Sequence, residues 1–337
     1  MDNSSLLEQQ LLPLSLRNTL LTMAGGLLLL FALAGLTVNI LNMLVFHRLG
    51  LYSSININFF ALSAADFACA SIYALISLIW LDISRAIKLS VDLEDLNFLL
   101  SPLFVSLSTF GSWVTAIISI ERSCSILVPV RVKHIFTCRF TACLISAMLV
   151  AQLAILTASF TSMRLFIAPG GATSSERPRV VLDQAESDID LYITVMFWGS
   201  SFPSFICFLL IVVSTFFLAY SLRQRQRWLQ TLPGQRLQNK GKNQKRVATV
   251  TVVAVSAIYI ACYLPGVSTV GIYFTIHGLN AFNAQQDNLQ LILTSLVPIF
   301  QALSGVTNFF VYYKRNSRFR QNFKHLFYYD FAEVRAG

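Results

Sequence analysis

The chain has 337 residues, 55% of them hydrophobic and 12% charged, where an average soluble domain carries about 25% charged residues. With a mean hydropathy of +0.63 and 27 phenylalanines, it holds too much apolar side chain for one water-soluble globule, and it reads as an integral membrane protein. The net charge of +9 invites a nucleic-acid partner, but membrane sidedness accounts for it, so no nucleic acid is expected.

A helix needs about 20 predominantly apolar residues to cross the hydrocarbon core, so the spans are read from the gaps between charges. Residues 1–19 form an amino-terminal segment; its first ten residues hold Asp2 and Glu8 and no base, so no signal peptide is expected. Asn3-Ser4-Ser5 is a glycosylation acceptor. The first span, 20–46, carries Asn39, and the second, 54–80, carries Asp66 in ALSAADFACA. The third, 97–122, ends on Glu121-Arg122, and the fourth runs over 140–163. Spans five, six and seven, 190–222, 246–275 and 289–312, contain Pro203, Pro265 and Pro298, and the last also holds Asn308. Proline deletes a backbone hydrogen bond and weakens a helix where it sits.

Between spans five and six, the basic, Gln-rich stretch 221–245 should carry both helices into water and break at Pro233-Gly234. In the tail, 313–337, Phe319, Phe323 and Phe327 lie four apart among Lys314, Arg315, Arg318, Arg320 and Lys324. That is the pattern of an amphipathic helix on the membrane surface, with lipid as its partner. No internal repeat and no second domain is visible. The six cysteines have no metal-ligand spacing, and HExxH, GxSxG and a phosphate-cradling G-x-x-x-x-G-K are missing, so no enzyme, metal or cofactor is expected.

With the amino terminus outside, 19 of the 25 basic residues fall on inner segments, while 12 of the 16 acids fall outside. The prediction is an all-α membrane protein: a single bundle of seven transmembrane helices, amino terminus extracellular, tail cytoplasmic. Asp66 then lies in the membrane, where a carboxylate costs about 2.5–3.5 kcal/mol on an insertion scale and should face the bundle interior. Asn39 and Asn308 are equally out of place, and the three are expected to form one polar cluster. Glu121 should hold the guanidinium of Arg122 until something displaces it.

Asn39, Asp66, Glu121-Arg122, Pro203 and Asn308, in this order on seven spans, resemble the rhodopsin-like G-protein-coupled receptors. NINFFALSAAD, with Asn56 ten residues before Asp66, is similar to the family's N-x(5)-LAxAD signature. ERSCSILVPV is similar to D/E-R-Y-x-x-I-x-x-P-L at Glu121, Arg122, Ile126, Pro129 and Val130. CYLP, from Cys262 to Pro265, resembles C-W-x-P with Tyr263 for tryptophan, and NFFVY, from Asn308 to Tyr312, resembles N-P-x-x-Y with Phe309 for proline. Phe319 is placed like the family's anchor of a membrane-surface helix. NILNMLVFHRLGLYSSINI and VTAIISIERSCSILVPVRVKHIFT are similar to molluscan chemosensory-type receptors.

The resemblance implies a multi-pass plasma-membrane receptor that binds an extracellular small molecule or peptide and activates a heterotrimeric G protein. Glu121, Arg122, Ile126, Pro129 and Val130 would couple to the G protein, with Val130 an apolar plug. Asn39, Asp66, Tyr263, Pro265, Asn308 and Tyr312 would form the activation switch, and Phe104 and Tyr263 would meet the ligand. The chain also departs from the family. Asn97 and the cysteine-free 161–190 lack the outer disulfide, Ser123 replaces a tyrosine, and Lys245 stands where some members carry an acid that locks the arginine. Gly111 and Ser304 offer fewer oxygens than the family's sodium site near Asp66. Phe104 in place of an aspartate argues against a biogenic amine, and Ala302 near the opsin attachment point against retinal. The alternatives are a seven-helix transporter or a ligand-gated channel with Asp66 as its intramembrane ionisable site.

Overall fold

The computed structural model describes residues 14–81, 93–162, 165–168, 179–182, 191–192, 194–230, 240–277 and 288–328. Its helices are α1 (Leu14–Arg48), α2 (Ser54–Trp80), α3 (Leu93–Leu127), α4 (Pro129–Ile135), α5 (Cys138–Ser162), α6 (Phe202–Gln230), α7 (Lys240–His277), α8 (Asn288–Arg315) and α9 (Ser317–Tyr328). Seven of them, all but α4 and α9, are long and apolar enough to cross a membrane. They match the seven predicted spans in order and, within several residues, in extent. A chain crossing hydrocarbon has no water for its amide groups, and a helix satisfies all of them within one segment.

The spans pack as a bundle in which α1 lies against α2 and α8, α7 lies between α6 and α8, and α3 touches α2, α5, α6 and α7. Accordingly 67% of α3's membrane window is buried, against 17% for α5, so α3 is the axis and α5 faces lipid. At the basic end, predicted to be cytosolic and termed inner below, α6 runs on to Gln230 and α7 begins at Lys240, as the polar stretch between them requires. The expected break at Pro233-Gly234 lies outside the described residues, as does Asn3.

Two connections go beyond the predicted elements. Pro129 opens the short helix α4 at its first turn, where a missing N–H leaves no bond unmade. Of Pro129 and Val130 only the backbone belongs to the described residues. In the outer loop after α5, β1 (Leu165–Ala168) pairs antiparallel with β2 (Arg179–Leu182), Leu165 opposite Leu182. β2 also lies against α3. All six cysteines are free, so the two strands are joined by backbone pairing and not by a disulfide. At the inner turn before α2, Gly50 has φ +84, a conformation that suits glycine, and Asn56 Nδ2 donates to its carbonyl at 2.8 Å.

The predicted weak point at Pro203 takes a definite form. A π-helical turn, Phe197–Ser201, leads directly into α6. Pro203 has no N–H for the Gly199 carbonyl; instead Gln152 Nε2 approaches that oxygen at 3.5 Å, and Thr109 Oγ1 approaches the Ser200 carbonyl at 3.4 Å. Such side-chain rescue is what allows a wide turn at membrane depth. Pro265 and Pro298 lie inside α7 and α8, and Pro102 adds a third such site inside α3.

The amphipathic tail helix is α9. Asn316 Oδ1 accepts the backbone N–H groups of Arg318 and Phe319 at 3.1 and 3.2 Å, an N-cap that turns the chain sharply after α8. Phe319 is fully buried, its ring 5.2 Å from Phe46 and 5.8 Å from Tyr312, while Arg318, Arg320 and Lys324 are exposed. The Phe327 side chain lies outside the described residues.

The closeness of α5 to the π turn yields a test. A Cβ on Gly199 would stand 2.7 Å from Cγ2 of Ile155, so Gly199→Ala forces helices apart and should cost about 1–3 kcal/mol. Thermal unfolding of the purified protein should fall accordingly, and adding Ile155→Ala should recover most of the loss.

Candidate functional site

The polar side chains of the bundle fall into layers along α3. At its inner end Glu121 and Arg122 are both buried, and Arg122 Nη2 lies 2.7 Å from Glu121 Oε1. The second carboxylate oxygen is held from α2: Asn58 Nδ2 donates to Oε2 at 2.7 Å and Ser54 Oγ at 2.9 Å. With its proton on the carboxylate, Ser54 accepts from Thr141 Oγ1 of α5, 2.8 Å away. Two charges out of water are tolerated where they pair with each other and the carboxylate accepts further hydrogen bonds. The predicted Glu121 restraint on Arg122 is therefore present, but it is anchored by Ser54, Asn58 and Thr141, which the sequence reading missed. Ile126 packs half-buried against the aliphatic core one turn further in.

The middle layer is built on Asp66. Asn308 Nδ2 of α8 donates to Asp66 Oδ2 at 3.0 Å. Gly305, one turn before Asn308, leaves the space that brings α1 close: a Cβ there would meet Asp66 Cγ at 3.4 Å and Asn39 Nδ2 at 3.6 Å. Asn39 thus shares the site, yet its amide donates to the Gly35 carbonyl at 3.0 Å and accepts from Asn42 at 3.2 Å, both on α1. Two of the three predicted relay residues are bonded to each other, and the third is a neighbour. A small polar cavity opens between α2, α3, α7 and α8, lined among others by Asp66, Thr115, Tyr259, Tyr263, Gln301, Ser304 and Asn308.

Above the cavity lies a layer that the sequence reading found only in part. Gln301 Oε1 of α8 accepts from Tyr73 OH of α2 at 2.8 Å and from Ser108 Oγ of α3 at 3.2 Å. Tyr263 OH of α7 stands 3.4 Å from Ser108 Oγ. The ring of Phe104 packs on Tyr73 at 5.6 Å. Phe104 and Tyr263, predicted as ligand residues from separate spans, therefore join one layer through Tyr73, Ser108 and Gln301. Tyr263 also stacks on Tyr259 at 3.9 Å, one turn inward and just before Pro265 in the chain.

Tyr312 does not join the polar layers. It is buried among Phe46, Phe59 and Phe319, with no hydrogen-bond partner on its hydroxyl. Phe309 stacks on Tyr313 and meets Phe319 and Phe323 edge-on, so this part of α8 fastens α9.

No protein-family model matches the chain, and no curated protein is similar to it at a significant level.

The anchoring of Glu121 predicts an order of stabilities. Asn58→Ala removes one hydrogen bond to a charged group, worth about 1.5–3 kcal/mol, and should lower the thermal midpoint. Asn58→Asp should lower it further at neutral pH, because two carboxylates then face each other. Acidification protonates one of that pair, so the Asp variant alone should regain stability as pH falls.

Proposed function

We propose that the chain is a plasma-membrane receptor of the rhodopsin-like kind, which binds an extracellular small molecule or peptide and activates a heterotrimeric G protein. The observation that carries the reading is the buried ion pair at the inner end of α3, Arg122 held by Glu121 at 2.7 Å, with Glu121 tied to α2. An ionisable group at membrane depth is expensive and marks function by default. Here the cation is stored against its neighbour, in contact range of the inner surface, on the helix that touches four others.

The mechanism is a population shift. A ligand with higher affinity for an open state binds in the layer of Phe104 and Tyr263 and loosens the contacts of α7 near Pro265. The inner ends of α6 and α7, carrying the basic rim from Arg223 to Arg246, swing outward. Arg122 then leaves Glu121 for the G protein, with the segment at Pro129 and Val130 beside it. Asp66, Asn308 and Asn39 couple α1, α2 and α8 beneath the ligand layer. The unbroken run of α2 through Asp66 and of α8 through Asn308 favours this reading over a transporter, whose ion site uses discontinuous helices. Glycosylation of Asn3 in cells would place the amino terminus outside, against the channel topology.

Arg122→Ala should abolish ligand-stimulated nucleotide exchange while leaving surface expression intact; unchanged exchange would remove the coupling role. Asp66→Asn keeps an acceptor for Asn308 and should alter agonist response more than surface level. A variant that never reaches the surface would make Asp66 structural.

A further inference from the structure

Besides its layers, α3 carries a row of hydroxyls that meets a second row on α7. Ser108, Ser112 and Ser119, four and seven residues apart, share one face of α3; Tyr263, Tyr259 and Ser256, four and three residues apart, share one face of α7. Each meets its counterpart: Tyr263 OH and Ser108 Oγ at 3.4 Å, Tyr259 OH donating to Ser112 Oγ at 2.7 Å, and Ser119 and Ser256 Oγ at 2.9 Å. Index rises along α3 as it falls along α7, the register of two antiparallel helices in side-by-side contact. Ser112, Ser119 and Ser256 are fully buried. Ser112 passes its own proton to the Ser108 carbonyl at 2.9 Å, so the Tyr259 bond leaves it fully used.

An ion pair does not supply this contact. In sequence the inner end of α7 holds Lys240, Lys242, Lys245 and Arg246 and no acid, and Arg122 pairs with Glu121 on its own helix. We propose that the hydroxyl ladder between α3 and α7 is the resting-state restraint on α7, released when the inner half of α7 swings away. The proposal deepens the receptor reading above and rests on it for its meaning in signalling. The gradient along the ladder gives it direction: the longest contact, at Tyr263, borders the ligand layer, and the two shorter ones lie further in. A ligand that takes Ser108 or Tyr263 as its own partner removes the outer rung and weakens the rest by leverage at Pro265.

The test uses the full chain in lipid nanodiscs without ligand. Spin labels go on Tyr52→Cys and Val247→Cys, both at exposed inner positions, with label-reactive native cysteines replaced by alanine. Ser256→Ala and Tyr259→Phe each remove a rung and keep the packing. Each should raise the ratio of long to short label distances about threefold, the fold-change for the average ~0.6 kcal/mol of a hydrogen bond between membrane helices. The double variant should raise it about tenfold. Thr251→Ala, whose hydroxyl donates to the Val247 carbonyl of α7 itself, should change nothing. Unchanged distances in the double variant overturn the ladder, whatever the chain does in signalling. Outward distances with raised basal nucleotide exchange support the ladder and the receptor reading together. Outward distances without exchange on any G protein uphold the ladder and sink the receptor reading.

Discussion

A hydroxyl, amide or carboxylate inside hydrocarbon has no water to bond, and that constraint orders the interior of this bundle. Most hydroxyls meet it locally, as Thr37 does by bonding the carbonyl of Leu33 on its own helix. The side chains that matter for architecture are those that reach across. On α3 these include Ser108, Thr109, Ser112 and Ser119, short residues that also let neighbouring backbones approach. Thr109 reaches Ser204 at 2.8 Å as well as the π turn, so α6 is registered on α3 by the same chemistry that registers α7. The central position of α3 goes with its run of small polar residues, through which it meets α6 and α7.

The same constraint explains where charge is admitted. Glu121 is buried where Ser54 and Asn58 of α2 both donate to it, with Thr141 of α5 behind Ser54, and Arg122 is buried against Glu121. Asp66 has Asn308 as donor and a polar cavity beside it, so its environment is less closed. The two carboxylates thus sit in different surroundings: one is paired with a cation, the other borders a small cavity between four helices.

The spans were legible because charge is excluded from hydrocarbon, so the gaps between charges mark the number and order of the helices and their approximate extent. Asp66 with Asn308 and Glu121 with Arg122 were legible for the same reason, being groups that should not be there without partners. The amphipathic helix α9 was legible from its four-residue phenylalanine spacing. Gln301, Ser108, Tyr73, Ser54 and Thr141 were not. Serine, threonine and tyrosine are common in apolar helices and usually satisfy themselves, and whether one reaches across depends on the rotation of each helix about its axis. The hairpin at Leu165–Ala168 and Arg179–Leu182 was missed because four-residue strands within a polar loop have no periodicity to read.

Two kinds of glue hold the inner half of the bundle, and their difference bears on what can move. Phe46, Phe59, Tyr312, Phe319, Phe309 and Phe323 form a continuous aromatic cluster joining α1, α2, α8 and α9. Each such pair contributes about 0.5–1.5 kcal/mol beyond the burial of its area. Phe309 packs on Tyr313, Phe319 and Phe323. The inner end of α8 is therefore stiff and fastened. The inner half of α7 packs Val252 and Val255 into the core and adds single hydroxyl contacts worth about 0.6 kcal/mol each, with Pro265 nearly two turns beyond Tyr259 and no comparable aromatic clamp among the described residues. A disturbance arriving in the layer of Tyr73, Gln301 and Tyr263 acts on both helices, and the one that yields is the one more weakly held. In the receptor reading proposed above, that directs motion to α7, on the side of the bundle where opening would uncover Arg122.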